Sequence, residues 1–204
     1  MVDDFNDYMV DRALVVRQVR SQFPGSPVFL LGHDMGGVVT TRFAEMIPNS
    51  IPGLALSGAT LTVDEPKYKQ IGVKVLAAVM PSAPAKRLDL KTYSHDQEAV
   101  LDLLHDPLVT QSDIPAKTIA EESKAIQTLQ EQTQRLTMPL LVMHGVSDSL
   151  SPLYSSIALY DAAASKAKVL KQYPDMSHDI WHENGTDTVM TDLTDWLNTL
   201  VSKE

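Results

Sequence analysis

The chain has 204 residues, of which 44% are hydrophobic and 21% charged, with a formal net charge of −9; this is the composition of a globular protein with one sizeable core. The acidic balance, with no Lys/Arg cluster, argues against nucleic acid as a partner. Because the sequence contains no cysteine, disulfides and thiol catalysis are excluded.

The N-terminus and the apolar runs of the sequence indicate where in the cell the protein is expected. Asp3, Asp4 and Asp7 stand where a secretory signal needs positive charge followed by an apolar core. No apolar run approaches the ~20 residues that a membrane-spanning helix needs. We therefore expect a cytoplasmic protein.

Helices and short apolar strands alternate along most of the chain. Residues 5–22 carry apolar side chains at helical spacing and predict an amphipathic helix. Strands are predicted over 27–31, 53–57, 139–145 and 168–173. Three more helices are predicted over about 35–46, 152–165 and 185–201. Buried strands separated by helices indicate an α/β fold with a parallel sheet covered on both faces.

The stretch from about 60 to 135 breaks this alternation. It contains five prolines, is irregular and then helical, and shows no strand-like run. It resembles an insertion in the sheet. We therefore divide the chain into a core segment at 1–59, an insertion at 60–135 and a second core segment at 136–204.

The first predicted strand runs directly into Gly32-His33-Asp34-Met35-Gly36-Gly37. A strand, a tight turn and a helix in this order are the layout of a nucleophile elbow. Gly32 and Gly36 flank the central residue because the strained turn leaves no room for side chains there. The central residue of such an elbow is usually serine, whereas here it is Asp34.

Two more reactive side chains follow later strands. Asp148 comes after the third predicted core strand and His178 after the fourth. Because ligands bind at the carboxyl ends of parallel strands, we expect both residues to gather near Asp34. Nucleophile, acid and histidine occur in the chain order of the α/β-hydrolase triad.

On these residues the chain resembles the monoacylglycerol lipase and lysophospholipase branch of the α/β-hydrolases. That branch has the elbow Gly-His-Ser-Met-Gly-Gly, which the chain matches except at residue 34, and similar patterns recur at 106–109, 139–148 and 173–181. The resemblance implies that Asp148 orients the histidine, that His178 is the general base and that the Met35 N–H is an oxyanion donor. It also implies that 60–135 is a cap, that an acyl ester or monoglyceride is the substrate, and that no cofactor is needed.

Asp34 is the first departure from this branch. A serine hydrolase needs a neutral hydroxyl, and carboxylate attack on an ester would give a high-energy mixed anhydride, so ester turnover should be weak or lost. Epoxide hydrolases and haloalkane dehalogenases instead use an elbow aspartate to attack an sp3 carbon, with cap tyrosines in the former; Tyr68 and Tyr93 are available here. A non-catalytic lipid-binding or scaffold protein is the third reading.

The second departure is that the family has strands before the first helix of this chain. Strand 27–31 then lacks its outer neighbour, and an unpaired apolar edge recruits other chains. We expect a fragment, a homodimer or a complementing N-terminal piece. The apolar stretch 71–81 resembles the family's cap helix, which implies transient contact with a membrane surface.

Each site residue also has an ordinary structural interpretation. Asp34 could cap the helix at 35–46, Asp148 could cap the helix that begins near Ser151, and His178 could be a loop histidine with one hydrogen bond. His33 and His144 are interpreted as structural. His178 and His182 have the i,i+4 spacing of a metal pair, but with no third ligand signature we expect no metal.

Overall fold

The computed structural model of the chain describes residues 1–63 and 65–202. Four parallel strands form its main sheet, in the order β1-β2-β5-β6. The sheet strands are β1 (Leu30–His33), β2 (Leu54–Ser57), β5 (Leu140–Gly145) and β6 (Lys168–Tyr173), and the helices that alternate with them are α1 (Asn6–Gln22), α2 (Met35–Met46), α6 (Leu153–Ala162) and α7 (Thr186–Val201). The predicted α/β class is confirmed.

Alternate side chains of the strands enter two separate cores, as the two-residue period of a strand requires. Leu54, Leu56, Leu140 and Val142 pack on one face with buried residues of α1, α2 and α6. Ala55, Leu141 and Met143 pack on the other face with Val189 and Trp196 of α7. Both faces of the central strands β2 and β5 are covered, which explains why every residue of these two strands is buried.

The insertion between β2 and β5 is mainly helical, but the expectation that it contains no strand is wrong. It holds α3 (Lys67–Val79), α4 (Gln97–His105), α5 (Ala116–Gln132) and an antiparallel pair of short strands, β3 (Pro84–Lys86) and β4 (Ile114–Pro115). These strands are three and two residues long and contain prolines, so they lack the apolar alternation that predicts a strand.

The first strand is predicted over 27–31, but β1 runs from Leu30 to His33 because pairing with β2 sets its length. β1 and β2 are paired in register from Leu30 opposite Leu54 to His33 opposite Ser57. Within the described residues, 1–63 and 65–202, no helix is long and apolar enough to cross a membrane.

Candidate active site

Asp34 lies in the tight turn between β1 and α2, and its backbone is strained. Its φ of 50° makes it the one non-glycine residue with positive φ in the described part of the chain. The turn is held by backbone hydrogen bonds: Asp34 N–H donates to Ser57 O at 3.1 Å, and Gly37 N–H donates to Asp34 O at 2.9 Å. Such strain costs about 1–3 kcal/mol and persists only where surrounding structure enforces it.

Glycine is required on both sides of this turn, although not at both predicted positions. A Cβ at Gly32 would lie 2.6 Å from Gly36 O and 2.7 Å from Gly37 Cα, and a Cβ at Gly37 would collide with Ala59. The prediction for Gly36 is wrong, because a Cβ added there meets no atom of the described residues within 4 Å beyond its chain neighbours and the backbone of its own helix. Gly32 and Gly37 are the positions where the chain passes too closely for side chains.

The predicted capping role of Asp34 is also wrong, since its side chain makes no hydrogen bond to the start of α2. Its carboxylate is instead 35% exposed and has one oxygen 3.8 Å from His178 Nε2. Met35 is the first residue of α2, so its N–H has no acceptor within the helix. This leaves a carboxylate and a free backbone donor side by side at the carboxyl end of β1.

The side chain of Asp148 is fully buried and makes hydrogen bonds in two directions. One oxygen accepts from Leu150 N–H at 2.8 Å and Ser151 N–H at 2.9 Å, while the other lies 2.8 Å from His178 Nδ1. The predicted capping of the helix near Ser151 by Asp148 is wrong, because α6 begins at Leu153 with Pro152 as its N-cap and no side-chain capping bond. The backbone bonds of Asp148 instead hold the turn before this helix. The backbone bonds fix the carboxylate that orients the imidazole ring.

His144 is a contact of this site that sequence reasoning missed. Its Nε2 lies 3.2 Å from Asp148 Oδ2 and 2.9 Å from Ser151 O, and its Nδ1 lies 2.7 Å from Ser156 Oγ. The ring is fully buried, so it packs as a structural residue and contacts the acid as well. Its position four residues before Asp148, at the end of β5, is the signal that could have found it.

His178 lies at the centre of the site. Its Nε2 is buried without a hydrogen-bond partner and faces Asp34. The rings of His33 and Tyr93 pack against it with centroids 4.8 and 5.0 Å away. Gly145 makes room for this loop, because a Cβ there would collide with the backbone of Ser177.

The charges around His178 favour its protonated form. Burial opposes that charge, but the hydrogen bond with Asp148 and the negative charge of Asp34 outweigh it and raise the pKa of His178 above the usual 6.5. Burial likewise opposes the charge of Asp148, yet hydrogen bonds from His144 and His178 hold the pKa of this carboxyl well below its usual range. The two carboxylates therefore lower the fraction of His178 that is a free base while Asp34 is charged.

Metal ligation receives no support from the geometry. Across residues 1–63 and 65–202, no group of three or more His, Asp or Glu side chains is placed to hold a metal ion. His178 and His182 have separate partners, because His182 Nδ1 lies 2.8 Å from Asp179 Oδ2.

Comparison with known proteins gives consistent results. The family described as "Serine aminopeptidase, S33" (Hydrolase_4) matches residues 1–185. A monoacylglycerol lipase of Mycolicibacterium smegmatis is 30% identical over 197 residues, which cover 95% of this chain and 70% of that protein.

Two solved structures share the fold. The monoacylglycerol lipase of Paleococcus ferrophilus matches with a TM-score of 0.85 at 23% identity, covering 97% of this chain and 76% of that one. A soluble variant of Saccharomyces cerevisiae monoglyceride lipase, in complex with a substrate analog, matches with a TM-score of 0.82 at 26% identity. That match covers 98% of this chain and 71% of the yeast one.

Proposed function

The chain belongs to the α/β-hydrolase family described as serine aminopeptidase S33, and on that premise we propose that it is a carboxylic ester hydrolase of monoacylglycerol lipase type, with ester turnover weakened or abolished by Asp34. The observation that carries this proposal is the strained elbow, whose residue 34 faces a histidine that is itself bonded to a buried carboxylate. In the proposed roles, residue 34 is the nucleophile position, His178 the base and Asp148 its orienting acid. Met35 N–H donates to the oxyanion.

Two features of the site support weak ester turnover. Asp34 has no hydroxyl proton for His178 to remove, and attack by its carboxylate on an ester carbonyl would convert the ester into a more reactive anhydride. In addition, the negative charges of Asp34 and Asp148 both favour protonated His178, so the fraction of free base at neutral pH falls. The arrangement suits a serine at residue 34 better than an aspartate.

The test is Asp34→Ser, assayed with p-nitrophenyl butyrate beside the unmodified chain. We expect kcat/KM to rise by about 100-fold or more, because a hydroxyl and a neutral base would then be paired. The double variant Asp34→Ser with His178→Ala is the control and should lose that gain. Equal turnover in the unmodified and Asp34→Ser chains, or none in either, would contradict the proposal.

We propose that residues 60–135 are a cap over this site, between core segments 1–59 and 136–204. The insertion connects β2 and β5, which are neighbours in the sheet, so it contributes no strand to the main sheet. Tyr93, which belongs to the insertion, packs its ring against His178. A cap in this position would help to enclose the substrate beside the catalytic histidine.

Tyr93 favours a second candidate function, hydrolysis at an sp3 carbon. The Asp34 carboxylate would attack an epoxide carbon, the ring C–O bond would break, and the alkoxide would take a proton from the Tyr93 hydroxyl. Burial and the charge of Asp34 raise the pKa of Tyr93 to about 12. The hydroxyl therefore keeps its proton until the alkoxide forms. Tyr68 takes no part in this scheme, because it is 72% exposed.

In the second step of this reaction, the loss of the Asp34 charge would favour neutral His178. Once Asp34 is an alkyl ester, it no longer carries the charge that favours protonated His178. The histidine would then become a base, take a proton from water, and direct hydroxide to the ester carbonyl. The C–O bond between the Asp34 carbonyl carbon and the substrate oxygen would break and release the diol, with the His178 proton going to the leaving oxygen and the carboxyl proton of Asp34 to the Tyr93 phenolate.

This second candidate is tested by mass spectrometry after incubation of His178→Gln with styrene oxide. An adduct with the mass of one styrene oxide on Asp34 is expected, and Asp34→Asn should give none. No adduct in His178→Gln, and no turnover in the unmodified chain, would exclude this function.

We propose a third role for the cap surface, contact with a monoglyceride or a lipid surface, with or without turnover. One side of α3 exposes the apolar side chains of Tyr68, Ile71, Val75 and Val79, and Met80, which caps the helix, is exposed beside them. Beside it, a pocket of about 260 Å³ is lined by Lys74, Lys117, Lys124 and Glu121. The Glu121 carboxylate lies 2.8 Å from Lys117 Nζ and 3.9 Å from Lys124 Nζ, so the charged lining is positive by two. An apolar stripe next to lysines suits an anionic lipid surface. Flotation with phosphatidylglycerol vesicles should recover the unmodified chain but not Val75→Glu/Val79→Glu.

The outer edge of β1 is the proposed site of self-association. Among the residues that the structure describes, β1 is hydrogen-bonded to β2 alone, and Leu31 is 44% exposed. We propose that a second copy of this chain pairs along this edge. Light scattering should give a dimer mass at micromolar concentration. A monomer mass would contradict the dimer. A monomer that binds a separate peptide carrying the strand expected beside β1 would instead identify a complementing N-terminal fragment.

A further inference from the structure

Hydrogen bonds connect a short segment of the insertion, residues 93–95, to the loop that carries His178. Asp179 N–H donates to Tyr93 O at 2.7 Å, and Ser94 Oγ donates to His182 O at 2.7 Å. His95 N–H donates to a carboxylate oxygen of Glu183 at 3.0 Å. Every residue of the segment is therefore bonded to the histidine loop.

Glu183 is the charged member of this network, and its side chain is 1% exposed. The same oxygen that accepts from His95 N–H also accepts from Ser177 N–H at 2.8 Å, and His95 Nδ1 lies 3.1 Å away. A carboxylate is buried at a high cost unless donors surround it, and bonds from N–H groups to a carboxylate are stronger than neutral ones. Glu183 therefore bonds the insertion and the histidine loop through a single atom.

These bonds fix the backbone on both sides of His178. Ser177, immediately before it, is bonded to Glu183, and Asp179, immediately after it, is bonded to Tyr93. The direction of the imidazole depends on this backbone, because its Nδ1 must reach Asp148 while its Nε2 faces Asp34.

We propose that Glu183 is a positioning residue, which couples the placement of the cap segment 93–95 to the aim of His178 at residue 34. The inference rests on the proposed function of His178 as the base. If the two segments move, the histidine moves with them, and a displacement of about 1 Å in a catalytic group costs on the order of 100-fold in rate. The cap would in this way set the efficiency of the chemistry as well as enclose the substrate.

The experiment compares Glu183→Asp, which keeps the charge but shortens its reach, with Glu183→Gln, which keeps the length and an acceptor oxygen. Both are made in the unmodified chain, for NMR titration of His178, and in the Asp34→Ser chain, for ester kinetics. We expect Glu183→Asp to bring the His178 midpoint closer to that of a free histidine, and to lower kcat by about tenfold or more at nearly constant KM. Glu183→Gln should retain most of both properties. The matched control is Glu131→Gln, on the exposed side of α5.

A loss of thermal stability in Glu183→Asp, with the His178 titration and kcat unchanged, would overturn the inference and leave Glu183 a structural residue. The two proposals fail separately. If Asp34→Ser gives no ester turnover, the proposed function fails, whereas the NMR titration in the unmodified chain still reports whether Glu183 positions His178.

Discussion

Asp34 and Asp148 are both carboxylates that follow strands of the same sheet, yet the protein holds them in different ways. Asp148 is held by its side chain, which is fully buried and accepts hydrogen bonds from backbone N–H groups and a histidine. Asp34 is held by its backbone, through the turn that Gly32 and Gly37 permit, while its carboxylate is partly exposed and makes no capping bond. The elbow should therefore tolerate a change of side chain at residue 34, whereas residue 148 should tolerate none.

Asp148→Ala is expected to have the largest effect. It removes the acceptor of Leu150, Ser151 and His178 at a buried position, and loss of one partner of a buried ion pair costs about 3–5 kcal/mol. Urea denaturation should show this loss in the free energy of unfolding. Asp175→Ala, an exposed aspartate near His178, is the control and should change stability by less than about 0.5 kcal/mol. Equal effects of the two changes would remove the distinction between the carboxylates.

Substitutions at two adjacent glycines, Gly36 and Gly37, test whether the backbone turn holds Asp34 in place. Gly37→Ala should cost about 1–3 kcal/mol, because its new Cβ would collide with Ala59. Gly36→Ala should be neutral or stabilising by up to about 1 kcal/mol, since its Cβ meets no atom of the described residues within 4 Å outside its chain neighbours and its own helix backbone, and alanine favours the helix. Thermal unfolding of both variants checks this. If Gly36→Ala were as damaging as Gly37→Ala, close packing would not be what holds the elbow.

A change at residue 34 itself should have a smaller effect on stability, and it should stabilise the protein. Asp34→Gly should raise the free energy of unfolding by about 1 kcal/mol, because glycine adopts the φ of 50° without strain, although it loses more entropy on folding. Asp34→Asn keeps the strain and removes the charge, so it serves as the matched control. Destabilisation by Asp34→Gly, measured at the pH and salt concentration used for Asp34→Asn, would mean that the aspartate side chain supports the turn.

The same contrast explains how much the sequence could predict. Helices α1, α2 and α7 could be located because their apolar periodicity or flanking glycines and prolines are local signals. The start of β1 could not, because it depends on pairing with β2, and β3 and β4 could not, because they are short and proline-containing.

Within the candidate site, positions that follow strands were predictable and contacts between distant segments were not. Asp34, Asp148 and His178 lie together because they follow parallel strands of one sheet, in which only β2 lies between β1 and the adjacent pair β5 and β6. The contact of Glu183 with His95 joins residues 88 positions apart, through a loop that no periodic pattern places. The strand ends and the branch resemblance pointed to Asp34, Asp148 and His178, and the structure was needed to find the contacts that hold them.

The final prediction concerns the charge that Asp34 places beside His178. Because Asp34 and Asp148 raise the pKa of this histidine, its contribution to stability is fully present below the unfolded value near 6.5 and is lost as the pH rises through the folded pKa. Asp34→Asn should lower the NMR midpoint of His178 and reduce the fall in stability over that pH range. Asp175→Asn, which changes an exposed charge in the same loop, should leave the midpoint in place. Identical midpoints in the unmodified and Asp34→Asn chains would mean that solvent screens the 3.8 Å pair, and the histidine would then be as free to act as a base beside an aspartate as beside a serine.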